Sequence, residues 1–260
     1  MMFDAENSSG RRRLPAVPAL LLFAWIGAFH AHGQKLKFVV YGDTRDDPPG
    51  IQIARELGQA ITNEQPDFVL FTGDVLYSAC LAGFQWYQNE MLAPFNEAGI
   101  PFYPVEGNHK ENDVSSFTNI FGPALPDNGP AGGEKLTYSL TFSNVLILAI
   151  DTLVTNNYCR VNQSWIDAVL AANHQRHVFA FGHAPAFRVY HTDCLDNYPT
   201  NRDAFWNSLS NAGCRIYFSG HDHFYDHMGL DDHDGNSNND LHQIILGTGG
   251  SPPIRTAHTM

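Results

Sequence analysis

Short apolar runs rich in valine, phenylalanine and tyrosine recur along the chain, and each stops at a glycine. They are KFVVYG (37–42), DFVLFTG (67–73), PFYPVEG (101–107), HVFAFG (177–182) and RIYFSG (215–220). Runs of this length and composition, closed by glycine, predict buried β-strands. Helical spacing of apolar residues fills the gaps. IQIARELGQAITNE (51–64) follows a Pro-Pro-Gly start, and FQWYQNEMLAPFNEAG (84–99) is interrupted by Pro94. NQSWIDAVLAANHQ (162–175) opens on a cap at Asn162 or Ser164, and RDAFWNSLSNAG (202–213) ends in a glycine suited to a C-cap. Strands interleaved with helices predict an α/β fold with largely parallel strands. EKLTYSLTFSNVLILAID (134–151) departs from that rule and predicts an antiparallel hairpin turning near Ser143 and Asn144. LHQIILGTGGS (241–251) predicts a last strand and a glycine turn. No internal repeat or linker interrupts residues 34–260, which read as one domain.

The first 33 residues have a different pattern. Arg11, Arg12 and Arg13 precede an apolar stretch from Leu14 to Phe29, and Ala31-His32-Gly33 offers a small-x-small cleavage site before Gln34. This is the layout of a secretory signal peptide; the alternative is an uncleaved anchor. The arginine run is also similar in part to a twin-arginine export signal. The expectation is an exported protein, periplasmic or secreted. Its four cysteines, Cys80, Cys159, Cys194 and Cys214, match no CxxC spacing. In an exported chain they predict two disulfides, with Cys159 and Cys194 as the preferred pair.

The 260 residues are 43% hydrophobic and 16% charged, a globular composition. A formal net charge of −12 argues against a nucleic-acid groove that works by neutralising phosphates. It leaves an anionic substrate open, because bound cations dominate their local field.

The residues just after these glycines carry the chemistry. The runs lead into Asp43, Asp74, Asn108 with His109, His183, and His221 with His223. Open α/β sheets bind ligands beyond the carboxyl ends of their strands, so these distant residues can meet at one edge. With Tyr77 they make a mixed oxygen and nitrogen set without thiolate, which disfavours a zinc knuckle or an iron–sulfur cluster. The donors outnumber what one tetrahedral zinc requires. Two metals fit better, with Asp74 as the natural bridge.

The motifs GDTR (42–45), GDVLY (73–77), GNHK (107–110), GHAP (182–185) and GHDH (220–223) stand in family order, and residues 37–250 resemble the calcineurin-like metallophosphoesterases, in their purple acid phosphatase-like branch. The resemblance implies a four-layer sandwich, two mixed β-sheets flanked by helices. It implies that Asp43, Asp74, Tyr77 and His223 hold one metal, and Asp74, Asn108, His183 and His221 the other. His109 would steady the phosphate and protonate the leaving oxygen; Arg45 and Asn108 are the candidates for substrate contact. Position 45 departs from many members, which carry a histidine ligand there. Arginine has no acceptor and cannot serve, but Tyr77 can replace it. In the purple acid phosphatases a tyrosine at this position ligates Fe(III) and gives the colour. A phenol of ordinary pKa ~10 needs a strong Lewis acid to ionise at neutral pH. Fe(III) is therefore expected at the tyrosine site with Fe, Zn or Mn at the second, and colourless zinc or manganese occupancy stays open.

The activity implied is hydrolysis of phosphate esters, monoesters first, by attack of a metal-bound hydroxide. A phosphodiesterase or nucleotide hydrolase is the alternative, as is a non-catalytic phosphate- or metal-binding protein on the same fold. The partner implied is a small phosphorylated substrate, with no stable membrane association after signal cleavage. Arg45 also reads as an ion-pair partner of Asp46 or Asp47. Arg188 and His191 read as loop residues able to line the substrate mouth, while Asp151 and the acidic turn 231–240 read as structural. Loops 122–134 and 186–201, where specificity would lie, contain no motif, and oligomeric state leaves no mark in the sequence.

Overall fold

The computed structural model describes residues 35–77, 80–109, 113–152, 158–231 and 234–254. The expected signal segment, 1–33, lies outside them. Strands β1 (Phe38–Tyr41), β2 (Phe68–Phe71) and β3 (Phe102–Pro104) form a wholly parallel sheet in that order. The second sheet is mixed. It contains β4 (Tyr138–Phe142), β5 (Val145–Ile150), β6 (His177–Gly182), β7 (Cys214–Ser219), β8 (Tyr225–Leu230) and β9 (Leu241–Leu246), in the order β4-β5-β6-β7-β9-β8. Its four inner strands are parallel, and β4 and β8 are antiparallel edges.

Aromatic side chains fill the space between the sheets. Phe68 of β2 stacks on Phe142 of β4 at 4.4 Å, and Phe38 of β1 meets Phe179 of β6 edge-on at 5.4 Å. Such pairs add roughly 0.5–1.5 kcal/mol each beyond their area burial. β5 shows why its run VLILAI is apolar throughout. Ile147 and Ala149 enter the core between the sheets, and Leu146, Leu148 and Ile150 enter a second core on the other face. That second core is closed by α5 (Gln163–Ala171) and α6 (Pro199–Asn211), through Ile166, Phe205 and Leu209. Helices α1 (Pro48–Asn63), α2 (Leu81–Trp86) and α3 (Ala93–Ala98) add Ala54, Ile61, Phe84 and Phe95 to the first core. The result is the α/β sandwich of two sheets flanked by helices that the motifs implied.

Local chemistry explains the helix starts. Asp47 accepts a hydrogen bond from the Gly50 amide at 3.0 Å, and Pro48 and Pro49 occupy the first turn of α1, where a missing N–H costs nothing. Asn162 caps α5 by accepting from the Trp165 amide. One expectation is corrected, and two elements are new. Pro94 does not interrupt a helix but sits in the first turn of α3; the break comes two residues earlier, at Leu92, after α2 has passed into a π turn over Tyr87–Met91. β8 and α4 (Val114–Ile120) were not anticipated. All four cysteines are free, so the expected disulfides are absent from this structure: Cys214 lies buried in β7 and Cys80 is exposed at the start of α2. Among the described residues no helix is long and apolar enough to cross a membrane.

Two buried polar groups sit where the sheets approach the strand ends. The Tyr138 hydroxyl, on β4, donates to the Pro104 carbonyl of β3 at 2.8 Å and ties the two sheets together. Glu106, just beyond β3, is 6% exposed, and its Oε2 has no hydrogen-bond partner among the described residues. Burial, reinforced by the charges of Asp151, Asp113 and Asp74, pushes its carboxyl up to about 8.

Tyr138→Phe leaves the Pro104 carbonyl unpaired in a buried place and should cost about 1–3 kcal/mol. An equilibrium urea titration would read this as a lower midpoint at unchanged slope. Glu106 holds its proton in the folded state far above the ordinary range. The stability this contributes is whole below the unfolded pKa near 4.5 and is lost as pH rises through about 8. Glu106→Gln should therefore melt higher than wild type at pH 9 and no higher at pH 5, in metal-free protein followed by circular dichroism.

Candidate metal centre

Main-chain contacts bring the ends of β1, β2, β3, β6 and β7 together. The Asp43 amide donates to the Gly73 carbonyl at 2.9 Å, and the Thr44 amide to the Asp74 carbonyl at 3.0 Å. The Gly220 amide donates to the His183 carbonyl at 3.0 Å. Asp43, Asp74 and His221 each come directly after a glycine and adopt left-handed backbone, with φ of 60°, 56° and 71°. Non-glycine residues avoid this region, and its use here turns the side chains inward. Two of the glycines are required by close approach. A methyl group at Gly107 would strike the Asp74 carboxylate, and one at Gly220 would strike that of Asp43.

The hydrogen bonds behind the histidines fix which nitrogen faces the cluster. His183 Nδ1 is 2.8 Å from the Thr72 carbonyl, which only accepts, so Nδ1 carries the proton. Nε2 of the neutral ring is then bare, yet it points at Asn108 Oδ1 (2.9 Å) and Asp74 Oδ2 (3.3 Å), which are acceptors too. His221 repeats the pattern. Its Nε2 donates to Asp193 Oδ1 at 3.0 Å, leaving Nδ1 bare at 3.1 Å from the same Asn108 oxygen. His223 Nδ1 donates to the Pro252 carbonyl at 3.2 Å, and its Nε2 lies 3.6 Å from Asp43 Oδ1. Asp74 Oδ2 is buried and makes no hydrogen bond; His183 and His109 stand near it without hydrogen-bond alignment.

With the rings neutral and the carboxylates ionised, lone pairs therefore converge with no proton between them. A cation placed among them satisfies all of them at once, so the donor set fits a metal. Ligand atoms of Asp43, Asp74 and His183 all lie within 4.8 Å of one another. In the metal-free protein, protons carry part of the strain. Burial raises the Asp43 carboxyl to about 8. Burial also opposes ionisation of Asp74, but the facing His183 outweighs it and holds that carboxyl below the usual range. Burial lowers the His183 imidazole, and Asp74, Asp43 and the Thr72 carbonyl together reverse this and lift it to about 9. His223, facing burial and the Arg45 charge, falls to about 4.

The other expected residues gather at the rim. His109 donates its amide to Asp74 Oδ1 at 3.0 Å, and its ring nitrogen Nε2 is 3.5 Å from Asp74 Oδ2. Tyr77 is 54% exposed, with its ring between His109 (4.7 Å) and the Arg45 guanidinium (4.4 Å). Its contacts are thus stacking contacts at the rim, outside the buried cluster. Arg45 pairs with neither Asp46 nor Asp47; its Nε donates to Ser251 Oγ at 3.0 Å, Asp46 accepts from the Tyr77 amide, and Asp47 caps α1. Arg45, Asp46, Asp47, Tyr77 and Pro252 line a cleft of about 280 Å³ beside the cluster. Arg188 is exposed, whereas His191 turns inward, 4.5 Å from the His221 ring and bonded through Nδ1 to Asp222 at 2.6 Å. Asp193 and Asp222 were not singled out in the sequence. Neither comes directly after a strand and a glycine, and only the folded loop 186–198 reveals their partners.

Comparison with known proteins agrees with this geometry. The chain matches the calcineurin-like phosphoesterase family over residues 36–225. No curated protein sequence matches it. A purple acid phosphatase from yellow lupin (Lupinus luteus) seeds shares the fold with a TM-score of 0.61 at 16% identity, over 85% of this chain and 46% of that one. The chain thus spans about half the length of the lupin protein. A dimetal phosphatase from Danio rerio superposes with a TM-score of 0.63 at 14% identity, over 84% of this chain and 89% of that one. With the match covering most of the chain and the cluster in place at the strand ends, the protein belongs to the calcineurin-like phosphoesterases.

Proposed function

We propose that this protein is a hydrolase that uses two metal ions to cleave small phosphate esters, monoesters first, outside the cytoplasm. The observation that carries the metal reading is the convergence of bare lone pairs from Asp74, Asn108, His183 and His221 on one point. In this reading Asp74, Asn108, His183 and His221 hold one ion. Asp43, Asp74 and His223 would hold the other, which Tyr77 would complete by turning its exposed ring in from the rim, with Fe(III) at the tyrosine side and Fe, Zn or Mn opposite. When bound, such ions neutralise phosphate charge and lower the pKa of water. The chain's own groups do the rest. Asn108 and His109 leave β3 side by side and face the buried cluster. His109, a quarter exposed, reaches between Asp74 and the rim, where it can hand a proton to a departing alcohol. Arg45, fixed by Ser251, presents a guanidinium beside the 280 Å³ cleft, suited to a phosphate oxygen.

The export half of the proposal rests on the layout of residues 1–33. It brings the cysteines with it. Cys159 and Cys194 are both fully buried, and they adjoin Tyr158 and Asp193, which share a hydrogen bond of 2.9 Å. A chain passing through an oxidising compartment would join that pair.

Hydrolysis of a chromogenic aryl phosphate, with a diester assayed in parallel, tests the chemistry. His109→Ala should lower kcat about 10²–10⁴-fold while two metal equivalents remain bound. Asp74→Asn should lose metal and activity together. A visible absorption band that disappears in Tyr77→Phe would mark the iron site, and a colourless, fully loaded, active protein rules it out. No metal-dependent turnover on either ester class would favour a binding module. For export, protein recovered from the extracytoplasmic fraction should begin at Gln34 and titrate with two thiols fewer than its reduced form. An intact N-terminus in the cytoplasm would end that part of the proposal.

A further inference from the structure

Among the histidines of the cluster, His183 and His223 turn their outward nitrogens to main-chain carbonyls, those of Thr72 and Pro252. His221 turns its outward nitrogen to a side chain. Asp193 Oδ1 lies 3.0 Å from Nε2, and Asp193 Oδ2 accepts the Tyr158 hydroxyl at 2.9 Å. Both carboxylate oxygens are thus engaged. An ionised carboxylate only accepts, so the His221 proton must sit on Nε2. The bare nitrogen is then Nδ1, the one beside Asn108 Oδ1.

We infer that Asp193 is a positioning residue: it fixes the tautomer and tilt of His221 so that Nδ1 faces the ion held with Asp74, Asn108 and His183, and Tyr158 holds Asp193 in turn. The inference rests on the two-ion reading proposed above. Asp193 itself is placed as a partner and not as a ligand of that ion. The two nitrogens of an imidazole point to opposite sides of the ring, so a cation on Nδ1 is out of reach of a carboxylate bonded to Nε2. A carboxylate behind a ligating histidine orients the ring and raises its basicity, and loss of such a partner typically weakens metal binding about 10- to 100-fold. The setting favours a fixed geometry. His221 is 3% exposed, its ring packs 4.5 Å from that of His191, and Cys159 and Cys194, next in sequence to Tyr158 and Asp193, are fully buried. No signal in the sequence announces this pair, because Tyr158 and Asp193 lie in separate loops and none of the five strand-end motifs includes them.

The test is metal binding by the full chain, stripped with a chelator and titrated with Zn²⁺ or Mn²⁺ in a calorimeter. Wild type should bind two equivalents. Asp193→Ala should bind one of them about 10- to 100-fold more weakly and the other unchanged. Asp193→Asn, which keeps an acceptor oxygen, should recover part of the loss, and Tyr158→Phe should show a smaller loss at the same site. Asp193→Ala with both affinities at wild-type values overturns the inference alone. Complete loss of one equivalent in both Ala and Asn variants also overturns it, by making Asp193 a ligand. Wild type binding fewer than two equivalents removes the two-ion reading and this inference with it. Should the alanine variant fail to fold, unchanged affinities in both Asp193→Asn and Tyr158→Phe would decide against the role.

Discussion

Acceptor atoms buried face to face repel unless a proton or a cation lies between them. This constraint organises the molecule. Main-chain carbonyls at Thr72 and Pro252 and the carboxylate of Asp193 claim the outward nitrogens of three histidines. Their inner nitrogens are left bare against oxygens of Asn108, Asp74 and Asp43. Without a cation the protein can relieve the repulsion only by holding protons where they are not usually held, on Asp43 to about 8 and on His183 to about 9. A site of this kind opposes folding when it is metal-free, and the rest of the chain must hold it together.

The fold supplies that restraint through short rigid connections. Parallel strands deliver their last residues to one edge, and each needs only a glycine and one left-handed residue to turn a donor inward. The main-chain bonds from Asp43 to Gly73, Thr44 to Asp74 and Gly220 to His183 hold the strand ends of each sheet at the same edge. Behind them the stacked Phe68 and Phe142 and the bond from Tyr138 to Pro104 keep the sheets from sliding. Packed interiors resist small displacements, so strain at the strand ends is not relieved by a drift of the layers.

Strand ends were legible because their signal is local: an apolar run, a glycine and then a donor all lie within about eight residues, a span in which periodicity and turn chemistry can be judged. The same holds for the hairpin of β4 and β5 and for the Asn162 cap. β8 was missed because YDHMGL lies on an edge with alternate residues exposed, and its partner strand β9 does more than its own sequence to define it. The break before α3 was misplaced because Pro94 reads as a breaker, whereas a proline in a first turn is compatible with starting a helix. Asp193 and Asp222 were not legible at all. Their roles come from partners 28 and 31 residues away, across a loop whose path no pattern specifies.

Arg45 and Tyr77 set the charge and the shape of the rim. Arginine at position 45 adds a fixed positive charge, and that charge is felt: after burial, it is the next cause that lowers His223. A site beside such a charge favours an anion nearby. Tyr77 lies under the guanidinium, whose carbon is 4.4 Å from the ring centre, a cation–π contact. The exposed ring and the stacking geometry place both residues at the mouth of the cleft. The bond from Arg45 to Ser251 and the ring beneath the guanidinium give its positive charge a defined place at this rim, beside the buried acceptors of the cluster.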